Sequence, residues 1–176
     1  KNNPVYRSLD GCLLHDNELL YGRVDEKGSA TIPDSVTRIE RNAFYGCKSL
    51  KNAVIPDSVE SIGGSSFYDC ESLKSVIIPD SVTRIEGCAF SNCKSLKNVI
   101  IPDSVTVIGW RAFWGCKSLE SIVIPDSVTC IGDEAFCGCG LRVFYVGENN
   151  PVYRSLDGCL LCGSELLYGR IDGNGY

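Results

Sequence analysis

The sequence predicts a solenoid, a rod of stacked and nearly identical turns, and three ladders of residues carry that prediction. Prolines Pro33, Pro56, Pro79, Pro102 and Pro125 recur every 23 residues. Phe44, Phe67, Phe90, Phe113 and Phe136 keep the same step, and so do Cys47, Cys70, Cys93, Cys116 and Cys139. A fixed period of this length marks units that bury their apolar side only against neighbours, so that a core grows turn by turn. Function on such a rod is expected on a surface, not in a deep pocket.

One unit can be followed from Leu96. The β-branched stretch through Val99 and Ile101 predicts a strand of about 5–6 residues, and Pro102 ends it for want of an N–H. Asp103 and Ser104 follow as turn formers whose short side chains reach nearby backbone N–H groups. Val105 and Ile108 then point inward in a second short strand or extended turn. Ala112, Phe113 and Cys116 fit a single helical turn that returns the chain to the next strand. Equivalent strands stacked about 4.8 Å apart give two narrow parallel sheets along the rod.

A longer repeat encloses the short ones. Residues 2–25 and 149–172 are two copies of one 24-residue cassette, offset by 147, that differ only at His15/Cys162, Asp16/Gly163, Asn17/Ser164 and Val24/Ile171. Asp10-Gly11 and Asp157-Gly158 sit between apolar-alternating flanks, a strong signal for a tight hairpin turn. A second turn is expected at His15-Asp16-Asn17 and Cys162-Gly163-Ser164, before Glu-Leu-Leu-Tyr. The cassettes read as β-hairpins that cap or space the stack. The expected organisation is a cassette over 1–28, five repeats over 29–147, and a second, truncated cassette over 148–176. With Lys1 first and no Met, the chain reads as an excerpt, one 147-residue module and the start of another, from a longer array.

The pattern LxxxxIPxSVxxIxxxAFxxC, as in residues 73–93, resembles the BspA-like leucine-rich repeats, a type also described for a treponemal leucine-rich repeat protein. The NxxYxSxDGxLL segment at 3–14 and 150–161 resembles the insert that interrupts such arrays. The resemblance implies a leucine-rich-repeat solenoid: a curved, right-handed stack of short parallel β-strands with single helical turns, flanked by β-hairpin cassettes. It also implies an extracellular or cell-surface protein that binds other proteins, host or matrix components among them. No catalytic residues come with it.

The chain can be aligned with itself. Ile before the proline, Pro-Asp-Ser-Val, the next Ile, the Phe and the Cys are identical in all five repeats, while variation gathers five, eight, nine and twelve residues after the proline. These columns read Arg38/Ser61/Arg84/Val107/Cys130, Arg41/Gly64/Gly87/Trp110/Asp133, Asn42/Ser65/Cys88/Arg111/Glu134 and Tyr45/Tyr68/Ser91/Trp114/Cys137. Drift at solvent-facing positions would give variation too, yet the Lys48/Lys94/Lys117 and Ser49/Ser72/Ser95/Ser118 columns hardly change. Both tryptophans of the chain fall at variable positions, and Trp, Tyr and Arg dominate interface hot spots. The candidate ligand-binding residues are therefore Arg38, Arg41, Tyr45, Tyr68, Arg84, Trp110, Arg111 and Trp114. A second column, Val54/Ile77/Ile100/Val123/Tyr145, would be a hydrophobic contact stripe if exposed; β-propensity in a stacked sheet accounts for it more simply.

Other chemistries are not expected. The ladder cysteines read as buried structural thiols bonding weakly to the loop, in a geometry poor for bridging. Six further cysteines, Cys12, Cys88, Cys130, Cys137, Cys159 and Cys162, make the total odd, so at least one thiol is unpaired. Cys137/Cys139 and Cys159/Cys162 do not complete a zinc site, and Asp34, Asp57, Asp80, Asp103 and Asp126 read as turn caps, not calcium ligands. No metal or cofactor is expected. His15 is the sole histidine and no nucleophile is placed beside it, so an enzyme is not expected. A net charge of -5 without a basic stripe argues against nucleic acid. No run of 18 apolar residues or signal peptide is visible, so direct membrane insertion is not expected. The expected role is an adhesin or receptor-like module for an extracellular or host protein, or a glycan, with self-association along a longer array. The alternative is a structural spacer or surface array without a specific ligand.

Overall fold

A computed structural model describes residues 6–169. An antiparallel meander of β1 (Tyr6–Leu9), β2 (Cys12–His15) and β3 (Glu18–Tyr21) opens the chain. The repeats follow as pairs of short strands. These are β4 (Ser29–Thr31) and β5 (Arg38–Ile39), β6 (Asn52–Val54) and β7 (Ser61–Ile62), β8 (Ser75–Ile77) and β9 (Arg84–Ile85). Next come β10 (Asn98–Ile100) and β11 (Val107–Ile108), then β12 (Ser121–Ile124) and β13 (Cys130–Ile131), and β14 (Val143–Val146) stands alone. A second meander, β15 (Tyr153–Leu156), β16 (Cys159–Cys162) and β17 (Glu165–Tyr168), closes the described chain.

The strands sort into two parallel ladders. One runs β3-β5-β7-β9-β11-β13, with β2 and β1 added at its edge; the other runs β4-β6-β8-β10, with β12-β14 as a separate pair. β12 lies beside β10 without a ladder between them. The first meander is thus built into the stack, since β3 is the first rung of one sheet and β4 pairs with β6 in the other. The expected strands of 5–6 residues shrink to three in β10, because the alternating pattern leaves room for one inward residue before the chain bends at Ile101-Pro102.

The expected helical turn is not present; the segment is a run of tight turns. In a helix every N–H would return to the carbonyl four residues earlier. Here alternate amides take different routes. Ala43, Tyr45 and Cys47 donate three residues back, to Glu40, Asn42 and Phe44, whereas Asn42, Phe44 and Gly46 donate to Gly64, Ser66 and Tyr68 of the next turn. Left-handed backbone makes the alternation possible. Asn42, Ser65, Cys88, Arg111 and Glu134 all have φ between 51° and 64°, and Gly46, Asp69, Asn92, Gly115 and Gly138 between 60° and 72°. The second set is built of Gly, Asp and Asn, the residues that tolerate this region best.

The core lies between the two ladders and the turns. Leu96, Ile101, Val105, Ile108, Ala112, Phe113 and Cys116 are buried as expected, with Val99 partly so. The phenylalanines form one continuous stack from Phe44 to Phe136, with successive ring centroids 5.0, 5.2, 5.4 and 5.7 Å apart and planes within 9°. The turn formers behave otherwise than expected. Ser58, Ser81, Ser104 and Ser127 donate to the carbonyls of Val36, Val59, Val82 and Val105 in the preceding turn at 2.6–2.7 Å. Of the aspartate column only Asp126 accepts hydrogen bonds among the described residues, both from Asn149. The local cap is replaced by a bond along the rod.

The last turn is shortened by one residue. The step from Cys139 to Leu141 is one residue shorter than that from Cys116 to Leu119, yet β14 still pairs in register with β12, Val123 opposite Tyr145.

Truncating the middle of the aromatic stack, Phe90→Ala, is expected to cost about 3–5 kcal/mol in urea melts; a loss below about 1 kcal/mol would contradict its place in the core. Ser66, which stands where the other turns have alanine, has a fully buried hydroxyl without a partner. Ser66→Ala is expected to stabilise by about 1 kcal/mol in the same measurement.

Candidate functional site

The variable columns fall on the outer side of the β5–β13 ladder and on the turns that follow it. The column eight residues past the proline reads large, absent, absent, large: Arg41, Gly64, Gly87, Trp110. Two successive turns therefore carry no side chain at this position, and the rod has a notch there. It is an open depression of about 430 Å³, with Ser61, Gly63, Gly64 and Gly87 on its floor and Arg41 and Trp110 at its ends. The ends are three turns apart, about 14 Å at the spacing of a parallel ladder. Backbone packing permits a side chain at Gly87, where a Cβ would touch only the Trp110 carbonyl, at 3.4 Å; at Gly64 it would press on the Gly87 carbonyl at 3.2 Å.

The two ends differ in chemistry. Arg41 has no ion pair among the described residues; it is exposed and lines the notch. Trp110 is half exposed, at 49 %. The Arg111 guanidinium lies 4.5 Å over its ring and 5.9 Å from that of Trp114, and is held by Glu134 at 2.8 Å. Held between two indoles and a carboxylate, Arg111 fixes the tryptophans and has little left for a ligand.

Other candidates are placed less favourably. Arg38 is paired with Glu40 at 2.9 Å and Arg84 with Glu86 at 3.0 Å; Arg38 and both glutamates line the notch. Tyr45 and Tyr68 stack on each other, centroids 5.1 Å apart and 5° from parallel, outside the lining of the notch. The eight candidates thus divide: Arg38, Arg41 and Trp110 meet in the notch, Arg84 adjoins it through Glu86, Arg111 and Trp114 support its far end, and the tyrosines form a separate pair. Sequence reasoning missed Gly64 and Gly87 as the floor and Glu40 and Glu86 as arginine partners. A signal for the latter was present. Arg-Ile-Glu in the first and third repeats becomes Ser-Ile-Gly, Val-Ile-Gly and Cys-Ile-Gly elsewhere, so the acid appears only with the arginine two residues before it.

Constancy elsewhere also has causes. Lys48 and Lys94 grip Glu71 from either side, at 3.1 and 3.3 Å. The ladder thiols of Cys70, Cys93, Cys116 and Cys139 donate to the carbonyls of Phe44, Phe67, Phe90 and Phe113 at 3.0–3.2 Å. Burial pushes the Cys70 thiol up to about 12, and Cys93 rises well above the usual thiol value for the same reason. Cys130 and Cys137 are exposed. The outward column Val54, Ile77, Ile100, Val123 and Tyr145 is exposed throughout, so it forms a stripe on the other sheet.

The family model described as BspA type Leucine rich repeat region matches residues 24–142 in six copies. The chain belongs to this family. The six copies agree with the leucine-rich repeat stack seen here, in which β4, β6, β8, β10, β12 and β14 make six rungs although the 23-residue repeat recurs five times. Among solved structures, a leucine rich cell surface protein of Faecalibacterium prausnitzii is 34% identical, with a TM-score of 0.75 over 81% of this chain and 39% of that one. A leucine-rich repeat protein of Bacteroides ovatus is 35% identical, with a TM-score of 0.66 over the same shares. The leucine rich repeat protein of T. pallidum is 29% identical, with a TM-score of 0.70 over 82% of this chain and 70% of that one. This leucine-rich repeat chain thus spans about two fifths of the first of these proteins. Among curated proteins none matches. No helix among the described residues is long and apolar enough to cross a membrane.

The thiol ladder gives a pH expectation. A thiol whose folded pKa is raised favours the folded state fully below its unfolded value of 9.0, and that contribution is lost as pH climbs towards about 12. Urea midpoints are expected to fall between pH 8 and 10.5, and to fall less in Cys70→Ala. An equal fall in both proteins would remove the thiol from the explanation.

Proposed function

We propose that the chain is a protein-binding module of a cell-surface or extracellular protein, adhesin-like or receptor-like, and that the notch between Arg41 and Trp110 is its contact site. One observation carries the reading: a gap two turns wide, where Gly64 and Gly87 interrupt a column of side chains, ends in a guanidinium without an ion pair among the described residues on one side and a half-exposed indole on the other. Hot spots are enriched in these two residue types and sit in pockets that a partner can fill and dry. Binding on a stacked frame costs little ordering, because hydrogen bonds to both neighbouring turns already fix each turn. The F. prausnitzii relative is a cell surface protein, which supports the location. A partner that fits carries an acidic group beside an apolar or ring-shaped one, as an extracellular protein loop or an acidic glycan would. The reading includes no catalytic step.

A binding screen against extracellular proteins and glycans tests it. A true partner is expected to lose about 2 kcal/mol or more with Trp110→Ala, and to lose binding with Gly87→Leu, which fills the notch while leaving the melting temperature within a few degrees. Full binding by both variants would remove the notch. If no partner binds at all, the spacer reading takes its place.

A further inference from the structure

The two cassettes are almost the same sequence, and their burial is reciprocal. In the second copy Tyr153 is 7 % exposed and Leu160 fully buried; the equivalent Tyr6 and Leu13 of the first copy are 54 % and 36 % exposed. Tyr168 is half-buried, and its counterpart Tyr21 lies exposed. The opposite face reverses the order. Leu19 is fully buried in the first copy, whereas its equivalent Leu166 is 58 % exposed in the second. Leu161, the equivalent of the fully buried Leu14, stays buried at 9 %, so the reversal on this face is carried by Leu19 and Leu166. Each cassette therefore has two faces, and each copy covers a different one more completely.

What covers them is visible. In the second copy the tyrosine face sits on the last turn of the repeats. The Tyr153 hydroxyl accepts the Ile131 N–H at 2.8 Å and the Tyr168 hydroxyl the Phe136 N–H at 3.3 Å. In the interior, phenylalanine amides such as that of Phe113 are taken by the next turn. At the end of the stack the tyrosines replace that turn, so the buried donors stay satisfied. The Tyr168 ring also packs on Phe136 and Phe144. In the first copy the leucine face starts the repeats: Glu18 and Leu19 pair with Arg38 and Ile39, and the Gly22 amide donates to Ala43.

Glycine 169 adds an independent observation. Its equivalent, Gly22, has no alternative, since a Cβ there would overlap the Phe44 ring. Around Gly169 the nearest atom to such a Cβ among the described residues is on Leu166, 3.8 Å away, and its φ is not left-handed. No described residue fills, above Gly169, the space that a stacked phenylalanine fills above Gly22.

We propose that the cassette is a two-faced joint between consecutive solenoids. Its tyrosine face seats the last turn of one array and its leucine face starts the next, so that the open Tyr6–Leu13–Tyr21 face is a docking surface for the end of a preceding array of this same repeat. The occupant is defined by its chemistry: a last turn offering two unpaired strand and turn amides beside a phenylalanine edge, as Ile131, Phe136 and Phe144 do here. The contact is head-to-tail, with a different surface on each side of the joint. It is independent of what the notch binds.

The test extends the full chain at Gly169 with a second copy of residues 23–176, so that one cassette lies between two arrays. Amide hydrogen exchange over Glu165–Tyr168 is expected to slow at least tenfold in the extended chain relative to the single chain, reaching the level of Glu18–Tyr21. Gly169→Val is expected to leave the melting of the single chain unchanged and to abolish that protection in the extended chain. Gly22→Val, which meets Phe44, serves as the control that must destabilise the single chain. Unchanged exchange over Glu165–Tyr168 in the extended chain would overturn the proposal, and so would protection that survives Gly169→Val.

Discussion

Hydrogen bonding along the rod is the constraint on which the remaining structure depends. Three strips join the turns along the rod: two parallel strand ladders, one of them interrupted between β10 and β12, and the alternate amides of the turn between Asn42 and Gly46 and its equivalents. A parallel ladder fixes the step between neighbours, so every residue must stack on its counterpart one repeat away. That requirement turns the sequence into columns. A phenylalanine can hold its column only if the rings lie flat on one another, as they do from Phe44 to Phe136. A thiol holds its column because it reaches a phenylalanine carbonyl one turn back.

The period, the inward ladder and the paired sheets were legible because they follow from repetition alone. Repetition does not say which way a backbone amide points, and that is why a helical turn was expected around Ala112 and Phe113. Spacing of three and four residues between apolar positions fits a helix and a string of tight turns equally well. What separates them is the left-handed backbone at Arg111 and its equivalents, positions that hold Asn, Ser, Cys, Arg and Glu and give no common signal. The serine side chains were misjudged for a related reason: the expected partner was local, and the partner used is 22 residues away, as in Ser104 to Val82.

The candidate site was half legible. Exposed variable columns named Arg41 and Trp110, but a list of side chains present does not display a gap where two are missing. Gly64 and Gly87 matter by what they lack, and their effect appears only when turns are stacked in register. The arginines illustrate the other limit. Arg38 and Arg84 look as available as Arg41 in a column of letters, and a glutamate two residues later decides otherwise.

The short loop between Cys139 and Leu141 has a consequence for how such a protein can change over generations. Deleting one residue there leaves the following strand in register, with Val123 still opposite Tyr145. The segment lies outside both ladders and carries no member of the aromatic stack. Small insertions and deletions can therefore accumulate at this point of any turn, while the same change inside a strand would turn its core residues outward. Lineages of this protein are expected to vary in length at this bend and, by recombination between near-identical units, in whole turns, two kinds of genetic change that leave the wall of the rod intact.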